Sequence, residues 1–281
     1  MDCHTLSTKK ITAYTTFLRT EERAAATVEK YSRDIHAFAA WLGDKPVKKE
    51  TAAQWKERLL EDNFSPATVN AKLSALNGLF HFLGWDECKV KFIKVQKKAF
   101  RDTSRDLNRD EYQRLIDTAR LLGKELLALL LETICATGIR VSEVKFITVA
   151  AARNGRTDIS LKGKVRTILF PSKLCRKLLK YAKKKKTVSG EIFLSENGTS
   201  LSRLQIWREM KRICSAAGVE PSKVFPHNLR HLFAKTFYRV TKDIAKLADI
   251  LGHSSINTTR IYLMTTDTEH VRCLERLGLV S

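Results

Sequence analysis

Residues 124–143 read K-E-L-L-A-L-L-L-E-T-I-C-A-T-G-I-R-V-S-E. The apolar run Leu126–Leu131 falls inside a helical pattern from Lys124 to Ala136, and Thr137-Gly138 ends it, because glycine takes up the left-handed conformation that closes a helix. Arg140 then stands at the sharp entry to a second helix, on a turn that apolar neighbours anchor. A guanidinium there suits phosphate, since its planar donors match two oxygens at once. Glu143, one helical step further, is placed to orient that arginine. Taken alone, the stretch is better described as an ordinary turn with a surface i, i+3 pair, so the weight falls on what lies around it.

Downstream, Ile159–Leu161 and Arg166–Phe170 are short β-prone runs joined across Lys162–Val165, which reads as a hairpin. Its tip offers Lys162 and Lys164 as lysines able to reach outward and donate a proton, and spacing alone does not choose between them. Ile192–Leu194 is expected as a third strand before the Asn197-Gly198 turn. Helices are expected over 172–186, 202–217, 228–240, 244–251 and 257–263, and a short apolar tail over 274–280. The fold class is therefore mainly α, with a helical second domain holding a small three-stranded antiparallel sheet.

Upstream, Val28, Tyr31, Ile35, Phe38 and Leu42 recur at three- and four-residue steps and give one apolar helix face. Ser65-Pro66 is a hydroxyl cap followed by proline in the first turn. Val69, Leu73, Leu76, Phe80 and Leu83 repeat the helical spacing behind it. Weaker helices over 7–22 and 51–61 complete a bundle of about four. Lys30, Arg33, Asn70 and Lys72 lie on its expected exposed faces and suit phosphate contacts, although singly each reads as a surface residue. The domain bounds are 1–98 for the helical domain, 99–106 for a charged linker and 107–281 for the second domain.

The net charge is +21. Residues 101–281 carry 34 basic against 18 acidic side chains, and the remaining +5 falls in residues 1–100. Solubility asks for a net charge of only about 2–8 in a small domain, so the excess points to a polyanion, of which nucleic acid is the commonest. An apolar fraction of 43% is enough to build real cores. No apolar run approaches the ~18 residues of a spanning helix, and no signal peptide is apparent. Cys3, Cys88, Cys135, Cys175, Cys214 and Cys273 are scattered without a C-x-x-C pair; they read as reduced thiols of a cytoplasmic protein rather than as disulfides or a zinc site.

Three motifs close the series. Pro226-His227-Asn228-Leu229-Arg230-His231 starts a helix that puts His227 and Arg230 on one face. His227 and His231 are also four apart, as in a zinc site, but the glutamate of H-E-x-x-H is missing and Arg230 would set a positive charge beside the metal. Leu251-Gly252-His253-Ser254 leaves a histidine just past a helix end, which alone reads as a cap. Thr258-Thr259-Arg260-Ile261-Tyr262-Leu263 puts a tyrosine on a short helix, which alone reads as a core aromatic.

In order, A-T-G-I-R-V-S-E, the K-G-K hairpin, H-N-L-R-H, L-G-H-S-S and T-T-R-I-Y-L resemble the tyrosine recombinase (phage integrase) family over about residues 107–265. The helical front domain resembles that family's core-binding domain, and the short chain is similar to the simple Xer type. The resemblance implies that Arg140 and Arg230 clamp the phosphate, Lys162 is the hairpin lysine, His227 and His253 are the two histidines, and Tyr262 is the nucleophile. The K-G-K turn is shorter than the common K-G-x-K form. The implied chemistry is metal-free and ATP-free strand transfer through a 3′-phosphotyrosine, with His227 as base, Lys162 protonating the 5′ oxygen and His253 bonding the phosphate. No cofactor is implied, and no nucleotide-binding G-x-x-x-x-G-K-[ST] run is present. The implied partners are double-stranded DNA and three further copies of the chain, a tetramer on two sites exchanging strands through a Holliday junction. The rival expectations are a type IB topoisomerase and a catalytically silent DNA-binding regulator.

Overall fold

The structure, a computed structural model, describes residues 4–95, 104–161, 164–262 and 275, with Leu161 and Lys164 described by backbone alone. The chain divides into two compact units, Met1–Lys97 and Lys98–Ser281.

The first unit holds four helices, α1 (Thr8–Thr20), α2 (Ala25–Leu42), α3 (Lys49–Glu61) and α4 (Pro66–Phe82). Ser65 caps α4, its hydroxyl accepting from the Thr68 N–H at 3.3 Å, an interaction that typically contributes about 1 kcal/mol. The α4 helix serves two apolar clusters. Val69, Leu73, Leu76 and Phe80 pack with Phe38 of α2 and Trp55 of α3, whose rings meet edge-on at 5.1 Å. Ala75 and Leu79 pack with Ile11, Tyr14 and Leu18 of α1. A helix buried on two sides reads as strongly apolar, and α4 does.

The second unit begins with α5 (Arg109–Leu121) and α6 (Glu125–Thr137), followed by a 3-10 helix (Val141–Phe146) and α7 (Val149–Asn154). The expected second helix after Gly138 is thus a 3-10 turn, and α7 was not expected. An antiparallel hairpin follows, β1 (Arg156–Leu161) and β2 (Lys164–Leu169), in a register that sets Ile159 opposite Arg166 and Thr157 opposite Ile168. Then come α8 (Ser172–Lys184), α9 (Arg203–Arg212), α10 (Pro226–Thr241), α11 (Ile244–Leu251) and α12 (Ile256–Arg260). The expected apolar tail over 274–280 lies outside the described residues, apart from the exposed Glu275.

The sheet has two strands among the described residues, not three. Ile192–Leu194 makes isolated contacts instead: Glu191 bridges Thr148, and Leu194 bridges Ser200. The reason lies in burial. Ile192 and Phe193 are consecutive and both buried, so the segment lacks the alternation that a one-sided strand needs. Its backbone joins the loop before α7, with the Ile192 N–H donating to the Ile147 carbonyl at 3.0 Å.

One core, centred on α6, ties α5, α7, α8, α9 and α10 together through Leu115, Leu130, Ile134, Ala152, Leu178, Met210 and Leu229. A smaller cluster of Ala234, Leu247, Leu251 and Tyr262 joins α10, α11 and the end of α12. The site sits where these two clusters meet.

Candidate active site

Gly138 closes α6 at φ +63°, and a Cβ there would overlap the Phe233 ring of α10. Backbone conformation and packing both demand glycine. The turn it makes hands the chain to Arg140, whose backbone N–H donates to Glu143 Oε2 at 2.7 Å while its Nη1 donates to Glu143 Oε1 at 3.0 Å. Glu143 is 2% exposed. The Arg140 side chain, 42% exposed, faces solvent. Its Nη2 lies 3.4 Å from the Gly252 carbonyl.

Arg230, one turn into α10, is 3% exposed. Its Nη1 donates to the Gly138 carbonyl, and its Nη2 donates to the Leu251 carbonyl at 2.7 Å and to His253 Nε2 at 3.0 Å. Burial pushes its pKa down to about 10, with Arg140 and Arg166 adding repulsion and the Tyr262 hydroxyl acting the other way. At neutral pH it stays charged. A guanidinium cannot accept a hydrogen bond, so His253 Nε2 is the acceptor. The His253 proton therefore sits on Nδ1 and is donated to Thr259 Oγ1 at 2.9 Å. Burial, and then the Arg230, Arg140 and Arg166 charges, lower the His253 pKa to about 4. In this state the imidazole is neutral and its Nε2 is turned to Arg230.

Tyr262 follows α12, its N–H bonded to the Thr259 carbonyl at 3.0 Å. It is 3% exposed, enclosed by three imidazoles. The His253 ring stacks on it at 5.8 Å, the His227 ring lies tilted at 5.8 Å, and the His231 ring at 5.2 Å. His227 itself is exposed at the start of α10. The Arg230 guanidinium reaches the ring stack through His253, which it bonds at Nε2 and which lies on Tyr262. Arg140, His227, Arg230, His253, Tyr262 and the supporting Glu143 thus converge. Lys162 lies outside the described residues, and Lys164 is placed as the first residue of β2.

Two residues of the site, Arg166 and His231, are not singled out by the sequence motifs. Arg166, on β2, donates from Nη2 to Glu143 Oε2 at 2.6 Å and from Nη1 to the Ile250 carbonyl at 3.1 Å. The signal was present: Ile168 and Phe170 are buried while Val165 and Leu169 are exposed, so the two-residue strand period turns Arg166 inward. Spacing offers His231 only as a zinc ligand; it is 2% exposed, with Nδ1 3.5 Å from Asp106 Oδ1. Asp106 also accepts from Lys235 at 2.6 Å, and Asn228 donates to the Arg105 carbonyl at 2.6 Å. The end of the expected linker is therefore fastened to the helix that bears His227 and Arg230.

An open cleft of 1450 Å³ runs along this cluster, lined by Arg140, Glu143, Arg166, Arg203, Asp249 and His253 among others. Three guanidiniums stand against one buried carboxylate, Glu143, and the exposed Asp249 on the cleft. Such a site favours an anion able to accept from several N–H groups at once. Among the described residues, the group of three metal-ligating side chains in reach of one another is His4, Glu87 and Cys88, in the first unit.

Of the expected contacts in the first unit, Lys30 and Lys72 converge on buried Asp34, at 2.6 and 3.4 Å. Asn70 is held by the backbone of Ile93, donating at 2.9 Å and accepting at 2.8 Å. Arg33 is exposed. The thiols of Cys88, Cys135, Cys175 and Cys214 are free. Among the described residues, no helix is long and apolar enough to cross a membrane.

The phage integrase family model matches residues 105–269, and that of the phage integrase N-terminal SAM-like domain matches residues 11–87. Similar curated proteins include the tyrosine recombinase XerD of Brucella suis biovar 1 (strain 1330), 32% identical over 272 residues that cover 86% of this chain and 88% of the relative. Tyrosine recombinase XerA of Pyrococcus furiosus is 27% identical over 98% of this chain and 96% of its own. Among solved structures, the Tn1549 transposon integrase in complex with circular intermediate DNA shares the fold with a TM-score of 0.73 at 18% identity, covering 95% of this chain and 99% of that one. XerH bound to palindromic difH substrate gives 0.67 at 20% identity, covering 89% and 77%. A family match across most of the second unit, a second one across the first, and a relative above 30% identity together establish that the chain belongs to the phage integrase family, as a tyrosine recombinase of the Xer-like type.

Proposed function

We propose that this chain is a site-specific DNA recombinase that cuts and rejoins duplex DNA through a covalent bond between Tyr262 and a 3′ phosphate. The observation that carries the reading is the buried phenol of Tyr262 packed against the His227 and His253 rings, with His253 Nε2 bonded to the buried guanidinium of Arg230. A phosphodiester resists attack because it is anionic and its alkoxide leaves poorly. Arg140 and Arg230 hold the non-bridging oxygens and stabilise the charge that builds in the transition state, a role in which one lost donor costs about 3–4 kcal/mol. The Tyr262 oxygen attacks phosphorus, its proton passing to His227, and a phosphotyrosyl ester forms as the bond to the 5′ oxygen breaks. Lys162, with Lys164 as the alternative, delivers the proton that leaves the DNA end as a 5′ hydroxyl. A second 5′ hydroxyl reverses the attack, so the bond energy is conserved and neither metal nor ATP is needed.

His253 has a different starting point from the one the resemblance implies. Its Nε2 accepts from Arg230, so donating to the phosphate requires that bond to break and a proton to reach Nε2, either by the tautomer in which Nδ1 accepts from the Thr259 hydroxyl or by protonation, which the incoming anion favours by raising the imidazole pKa. The working assembly is four copies on two DNA sites, passing through a Holliday junction. The names of the DNA-bound relatives support DNA as the partner. In the first unit, Arg33, Lys30 and Lys72 supply backbone contacts; Asn70 does so only if it leaves Ile93. The domain bounds proposed are 1–98, a linker over 99–106, and 107–281.

A pool of random-sequence duplexes, each nicked so that the cut end diffuses away, tests the reading. The full chain is expected to form a denaturant-resistant adduct in EDTA without nucleotide. Sequencing the trapped DNA identifies the target. Tyr262→Phe is expected to bind the selected duplex and form no adduct. Normal adduct formation by Tyr262→Phe, or a strict magnesium requirement for attachment, defeats the proposal.

A further inference from the structure

Arg166 is a charged side chain in an apolar strand position, and it does two jobs at once. On one side its Nη2 holds Glu143 Oε2, the same oxygen that takes the Arg140 backbone N–H, while Glu143 Oε1 holds the Arg140 side chain. On the other side its Nη1 bonds the Ile250 carbonyl. Its Cδ rests against Gly252, where an added Cβ would overlap it. Gly252 lies at φ +63° and directly precedes His253. The Arg166 side chain is only 10% exposed, and its Nε is buried with no hydrogen-bond partner among the described residues. A buried cation with an unmet donor is unfavourable. A strand that needed only to pack would carry an apolar residue here, as it does at Ile168.

We infer that Arg166 is a positioning residue of the strand-transfer reaction: through Glu143 it fixes the guanidinium of Arg140, and through Ile250 and Gly252 it fixes the turn that presents His253. Without it, Glu143 loses its second cation and the turn loses its support, so Arg140 and His253 drift apart where a phosphate must meet both. A misplacement of about 1 Å at a reacting group costs on the order of 100-fold in rate. The rival role is direct phosphate binding, since Arg166 borders the cleft. The two differ in what they change. A positioning residue acts on the rate at saturation, whereas a backbone contact acts on affinity.

The inference rests on the recombinase reading, and the test separates the two. Single-turnover adduct formation is measured for the full chain on the duplex selected from the random pool, with Arg166→Met, Arg166→Lys, Glu143→Gln and the double variant Arg166→Met with Glu143→Gln. Arg166→Met is expected to slow the saturated rate about 100-fold, with half-saturation moving less than about threefold. Arg166→Lys is expected to recover part of the rate, because an ammonium supplies the charge without the fork. The double variant is expected to be slower than wild type by less than the product of the two single deficits, since part of the Arg166 effect passes through Glu143. A duplex with sulfur in place of the bridging 5′ oxygen has a leaving group that needs no proton, so the deficit should persist on it. Unchanged rates in the folded variants, a loss confined to affinity, multiplying deficits, or full rescue by the sulfur substrate would each overturn the inference. If Arg166→Met does not fold, Arg166→Lys carries the test: slowed chemistry at unchanged affinity supports the inference, and a wild-type rate overturns it. A wild-type chain that forms no adduct overturns the recombinase reading and the inference with it.

Discussion

Three cations around His253 make its proton the most informative one in the second unit. Burial and the Arg230, Arg140 and Arg166 charges lower its pKa from 6.5 to about 4. The unfolded chain therefore takes up the proton first as pH falls, so the stability contributed by neutral His253 is present above pH 6.5 and is lost as pH drops through about 4. Denaturant titrations from pH 7 to pH 4 should show wild type losing more stability over that window than His253→Gln. Parallel acid slopes would rule out the depressed pKa. DNA adds negative charge at the same place, so the imidazole NMR titration should move to higher pH in the complex. This scale also shows what a sequence discloses. Arg140, His227, Arg230, His253 and Tyr262 each stand in a run whose local grammar (a left-handed glycine, a proline-started helix, a helix end) fixes the side chain's direction, and all five meet. Arg166 was passed over because its meaning lies in a partner 23 residues earlier and in a glycine of another element. His231 was passed over because burial, not spacing, gives it a role.

Elements show the same division between local and distant causes. The α4 helix announces itself through Ser65-Pro66 and its apolar spacing, and its bounds fall close to the expected ones. What its polar face does was not legible. Asn70 and Asn77 are seven residues apart, so they share a face of the helix. Each amide grips one residue of the extended segment that follows: Asn77 donates to the Val90 carbonyl at 2.9 Å and accepts its N–H at 3.1 Å, as Asn70 does with Ile93. The spacing of the asparagines matches the three-residue step of the strap, so the pair works as a two-point clasp. An asparagine on a helix face carries no sign of whether its partner is phosphate or backbone; only the returning chain decides. Replacing either by leucine strands an N–H and a carbonyl, and about 1–3 kcal/mol per unsatisfied group is the expected loss. Urea unfolding of Asn70→Leu and Asn77→Leu measures it. A variant of undiminished stability but weakened DNA binding would return Asn70 to the interface. The missing third strand has a similar origin: Ile192–Leu194 has strand composition, and tertiary burial on both sides assigned it to a loop.

Charge belongs to the whole molecule. A net +21 makes affinity for duplex DNA depend on released counterions, and contact with 6–10 phosphates would cost about 10³–10⁵ in affinity between 50 and 200 mM salt. The slope of log affinity against log salt counts the cations that face phosphate, which composition cannot do. Arg140 has a side chain 42% exposed, whereas that of Arg166 is 10% exposed and bound to Glu143. Arg140→Ala should therefore lower the slope by about 1, and Arg166→Met should leave it unchanged. Tyr262→Phe, which removes no charge, should overlay wild type across the series. Equilibrium binding of these variants to the selected duplex at five salt concentrations decides the matter. Equal slope losses for the two arginines would mean that both guanidiniums release counterions, placing Arg166 on the phosphate itself and leaving Glu143 to orient Arg140 alone.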